Sequence, residues 1–123
     1  RLGKPYVSSD KATLVHHVTG EPVAEVSQLT SVAIGRDLYK MELAKKELAA
    51  IPVRDLFEMY KKAAEYFGNG TLPIGDQEQT FDDYIRSLSS TTGSPMVFCR
   101  RNAAKVKYVL ENVEEVLGGL TRG

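Results

Sequence analysis

Apolar positions recur at helical steps over most of this chain. Ile34, Leu38, Met41, Leu48 and Ile51 are spaced by three, four or seven residues, and "KMELAKKE" puts charge on the other side. Pro52 ends that segment, because proline disfavours helix in the residue before it. A second stripe, Val53, Leu56, Phe57, Tyr60, Ala64 and Phe67, stops at "GNG". Two helices are therefore predicted over 31–67, meeting at "AIPV" in a bend rather than forming one rod.

The segment 68–79, "GNGTLPIGDQEQ", reads as a loop with three glycines and a proline. Thr80 followed by Asp83 is a capping-box signal for a short helix over 80–92, with Phe81, Tyr84, Ile85 and Leu88 on one face. Gly93 then suits the left-handed residue after a helix, Ser94 an N-cap, and Pro95 the first turn of the next helix. The last stripe is Cys99, Ala103, Val106, Val109, Leu110, Val113, Val116 and Leu117. It predicts a single helix over 95–117, roughly 35 Å long, ending at Gly118 and Gly119.

Only the front of the chain reads as extended. "ATLVHHV", the turn chemistry of "TGEP" and the resumed "VAEVS" predict a β-hairpin over 12–27. On a regular strand His16 and His17 would point to opposite faces, so they are not expected to chelate together. The fold class that follows is mainly α with a small N-terminal β-hairpin (α+β), in one partial domain over 1–123.

Composition narrows the chemistry. Sixteen Lys and Arg balance sixteen Asp and Glu, and the signs are mixed, as in "KKELAAIPVRD". No basic field for nucleic acid is present. A single cysteine and two histidines supply neither an internal disulfide nor metal-ligand spacing, which favours a reducing, cytoplasmic setting. No run approaches the ~18 apolar residues of a membrane span. "RLGKPYVSSD" lacks the apolar core of a signal peptide, and "NGT" at Asn69 is read as a chance sequon.

Candidate reactive groups also have ordinary roles. The glycines of 68–79 follow a helix and lack the lysine of a phosphate loop. Cys99 belongs to an apolar stripe and no catalytic base lies near it in sequence, so it reads as a packed thiol. Asp82 and Asp83 read as helix-start residues, and Glu114 and Glu115 as a solvated face. No catalytic, cofactor-binding or metal-binding residue is expected.

Taken in order, these elements resemble the N-terminal part of the NAD(P)-dependent aldehyde dehydrogenase superfamily. Members commonly begin with a hairpin carrying a "TGE" turn and a short strand, matched here by "VTGEPVAEVSQ" from Val18 to Gln28. "RDLYKMELAKKELAAIP" and "VRDLFEMYKKAAEYF" stand where the family has two Ala- and Leu-rich helices, with Arg54 in the place of the arginine that opens the second. "STTGSP", Ser90 to Pro95, stands where the family has "TGKP" before a long helix. Ser94 in place of lysine and the longer 68–79 segment point to a divergent branch, so no particular aldehyde substrate is implied.

The resemblance implies that the catalytic cysteine, the glutamate base, the oxyanion-holding asparagine and the cofactor turn all lie beyond this segment; Cys99 is not the family nucleophile. It implies NAD or NADP in the full-length parent, and an inactive segment that packs on an α/β Rossmann-like cofactor domain. The start at Arg1 and the stop at "LTRG" fit a piece of a longer product. The expected partners are the rest of the parent enzyme and further copies of the chain, with no nucleic acid and no membrane. The competing expectation is a stand-alone helical interaction or oligomerisation module without catalysis.

Overall fold

A computed structural model describes residues 1–121. The chain is mainly helical, with a two-stranded antiparallel hairpin near its N-terminus and a second small sheet. It divides into two compact units, Arg1–Pro52 and the residues from Val53 onward.

In the first unit, β1 (Lys11–Val15) pairs with β2 (Pro22–Ser27). The register sets Ala12 opposite Val26 and Leu14 opposite Ala24, which makes one face of the ribbon apolar. Thr13 opposite Glu25 and Lys11 opposite Ser27 make the other face polar, where Lys11 Nζ meets Glu25 Oε2 at 3.1 Å. A register shift falls between Leu14 and Val15, so β1 ends before the histidines.

Two helices follow where one is predicted, α1 (Ser31–Leu38) and α2 (Met41–Ala49). Thr30 caps α1 by accepting from the Ala33 amide. The break at Tyr39 and Lys40 has local causes. Gly35 weakens the helix interior, and the Lys40 amide tightens onto the Asp37 carbonyl at 2.9 Å. Arg1 holds the Asp37 carboxylate through Nε and Nη2, both at 2.8 Å. This unit contains no buried large apolar side chain.

In the second unit, α3 (Val53–Asn69) starts directly after Pro52. It runs through Gly68 and ends where the Gly70 amide donates to the Tyr66 carbonyl at 2.8 Å. A Cβ on Gly70 would stand 2.6 Å from that oxygen, so only glycine fits. The predicted loop over 68–79 contains a second hairpin, β3 (Leu72–Ile74) with β4 (Gln77–Gln79), reversed at Gly75, whose φ is 63°.

The helix α4 (Phe81–Thr92) carries the predicted capping box between Thr80 and Asp83, and ends at left-handed Gly93, φ 74°. Ser94 is not the next cap. Pro95 holds that position, and its carbonyl accepts from Phe98 and Cys99. Where one helix is predicted over 95–117 there are two, α5 (Met96–Glu111) and α6 (Val113–Thr121). Asn112 interrupts them: its Nδ2 and its own amide both bond the Tyr108 carbonyl, at 2.8 and 3.0 Å. Glycines 118 and 119 lie within α6 and do not stop it.

The core of this unit is thin. Ile85, Cys99 and Ala103 form a buried cluster against Phe67, Phe81, Tyr84 and Leu88, and Ala64 is also buried. Phe67 meets Phe81 and Tyr84 edge to face, at 5.7 and 5.6 Å between centroids.

Candidate functional site

Each candidate from the sequence has a definite place. Cys99 lies on the buried side of α5, 3 % exposed, and its thiol donates to the Ser94 carbonyl at 3.6 Å. Apolar and aromatic side chains, Phe67, Phe81, Tyr84 and Leu88, pack on the cluster that contains it.

The two acids at the start of α4 do different work. Asp82 accepts from Arg100 Nη1 at 2.7 Å, tying α4 to α5. Asp83 accepts from the Thr80 hydroxyl at 2.6 Å and the Thr80 amide at 3.0 Å, and it also bonds Arg86. The hydroxyl bond, then the amide bond, then Arg86 hold its carboxyl well down, at about 2. That is a group built to stay ionised and hold a helix end, which is the opposite of what a general acid requires. On α6, Glu114 lies 3.8 Å from Lys61, which also bonds Glu58, and both acids are exposed. Glu115 is exposed as well.

The histidines differ from expectation. Because β1 stops at Val15, His16 and His17 lie on the connection, and their rings stack 4.9 Å apart with an interplanar angle of 18°. Nδ1 of His16 faces inward, accepting from the amides of Val18 at 3.2 Å and Thr19 at 3.4 Å. The pair is a turn element. Among the described residues, no three His, Cys, Asp or Glu side chains converge as a metal site would require.

The glycines do not form a phosphate turn either. Gly68 lies inside α3 with a Lys107 methylene 3.1 Å from where its Cβ would be, and Gly75 turns β3 into β4. Neither sits between a strand and a following helix N-terminus as dinucleotide binding needs, so these residues do not fit an NAD or NADP site.

One small cleft opens beside the aromatic triad, lined by Phe67, Leu72, Phe81 and Tyr84 among others, with a volume of about 60 Å³. Ligand pockets run roughly 300–1,000 Å³. A shallow depression of about 340 Å³ next to it is open to solvent, and its one carboxylate, Asp82, is already paired.

What the chain does present is apolar surface. Phe98, Val106 and Val109 on α5, Val116, Leu117 and Leu120 on α6, and Leu14 and Val26 on the ribbon are all exposed. No family model, curated protein or solved structure matches the chain. Among the described residues no helix is long and apolar enough to cross a membrane.

Proposed function

We propose that this chain is the N-terminal, non-catalytic part of an NAD(P)-dependent oxidoreductase of the aldehyde dehydrogenase type, working in the cytoplasm. Its role is to supply packing surface to a parent enzyme that oxidises an aldehyde to an acid or an acyl thioester. The observation that supports this reading is the set of large apolar side chains left exposed on two thinly cored units, on elements whose order resembles the front of that family. Nucleophile, base and cofactor would be supplied by other residues of the parent, and further copies of the chain would complete the assembly.

The test is the reading frame beyond the codon for Gly123, joined to an assay of the 123-residue chain. A frame that continues with a cysteine, a glutamate and a glycine-rich turn in the family's order is expected, with no aldehyde-dependent reduction of NAD or NADP by the chain alone. A stop codon at once, or dehydrogenase activity from this chain, overturns the reading.

A second reading, a stand-alone helical interaction module, draws on the cluster of Ile85, Cys99 and Ala103, which gives the second unit a core of its own. An immediate stop codon together with a cooperatively folded monomer would favour it.

A further inference from the structure

We propose that the His16 imidazole is a pH-sensitive clasp on the connection between β1 and β2. The connection is closed twice by backbone: the His16 amide donates to the Glu21 carbonyl at 2.8 Å, and the Gly20 amide to the His16 carbonyl at 2.9 Å. Gly20 allows the reversal with φ 72°. Inside this turn Nδ1 of His16 takes the amides of Val18 and Thr19 at 3.2 and 3.4 Å, as an aspartate or asparagine side chain would in an Asx turn.

An imidazole nitrogen accepts only while it carries no proton. The turn therefore selects the neutral ring with its hydrogen on Nε2. Acid places a proton on Nδ1, and two amide donors then face a third donor.

The other charges alongside do not restore the clasp. Glu21 is the one carboxylate in the connection, and its pull on an imidazolium replaces neither amide bond. On the flanking strands Lys11 and Glu25 are occupied with each other at 3.1 Å. A two-stranded ribbon is marginal by itself in water, so the turn decides whether the ribbon stays closed.

The experiment is nuclear magnetic resonance on the full ¹⁵N-labelled chain at pH 8 and pH 5, with His16→Asn and His17→Asn variants. Asparagine at 16 keeps an acceptor at the same distance from the backbone and does not titrate. At pH 8 the His16 ring should be the Nε2–H tautomer. Exchange protection of the Val18 and Thr19 amides, corrected for the intrinsic effect of pH, should fall roughly fivefold at pH 5, the worth of one ordinary hydrogen bond. In His16→Asn it should hold at both pH values, and in His17→Asn it should still fall.

The Thr80 amide is the internal control, because its partner Asp83 stays ionised at pH 5; protection that falls there equally reports general unfolding and overturns the clasp. An Nδ1–H tautomer at pH 8, unchanged protection at pH 5, or an equal fall in His16→Asn also overturns it.

Discussion

A carboxylate held at about 2 is a stability device with a definite working range. Asp83 has an ordinary value of 3.8, lowered first by the Thr80 hydroxyl. A carboxyl that is more acidic in the folded state stabilises fully above its unfolded value and loses that contribution as pH falls through its folded one. The start of α4 is thus expected to fray between about pH 4 and pH 2, seen as loss of Thr80 amide protection; Asp83→Ala should remove that transition. Thr80→Ala should cost about 1 kcal/mol in urea melts of the second unit. For Cys99, 3 % exposure predicts slow modification by a disulfide reagent in buffer and fast modification in denaturant. Equal rates in both would place the thiol outside the core.

At the scale of elements, Asn112 is where the helix is decided. Asn112→Ala removes the side chain that competes for the Tyr108 carbonyl and puts the best helix former in its place. It is expected to fuse α5 and α6, with ¹³Cα shifts at 111–113 moving to helical values; unchanged shifts would mean that the kink comes from packing. This break was hidden in the sequence because the apolar stripe runs straight across it, through Val109, Leu110, Val113 and Val116. The second hairpin was hidden for another reason. Gly75-Asp76 between "LPI" and "QEQ" is a two-residue turn signal, but three-residue strands containing a proline carry too little periodicity to be noticed. What was legible depends on local chemistry: the capping box at Thr80, left-handed Gly93, the turn at "TGEP". The stacking of His16 on His17 was not legible, since it follows from where β1 stops, and a one-residue difference there moves both rings.

On the scale of the whole molecule, many large apolar side chains lie exposed and few are buried among the described residues. Zero net charge offers no repulsion against association. Purified alone, the chain is expected to self-associate and to bind a hydrophobic dye, read by light scattering and fluorescence across a concentration series. A strictly monomeric species at high concentration would count against the proposed role as a packing segment. Replacing Phe98 and Val109 together by serine should shift the equilibrium toward monomer with little loss of helix, because both side chains already face outward. The cap at Asp83 and the buried place of Cys99 could be read from sequence alone, because one belongs to a recognisable capping box and the other to an apolar stripe. The exposure of those apolar side chains could not, because it depends on how few of the stripes find one another.

The Gly70 amide bonded to the Tyr66 carbonyl also bears on how the protein ages. An asparagine followed by glycine normally loses ammonia when the glycine nitrogen attacks the side-chain carbonyl. Here that nitrogen is committed to the last turn of α3, and Asn69 is held in helix. Conversion to aspartate should therefore be slow in folded protein and fast in unfolded protein. An acidic satellite band on isoelectric focusing would record how long a stored sample had spent with the end of α3 undone.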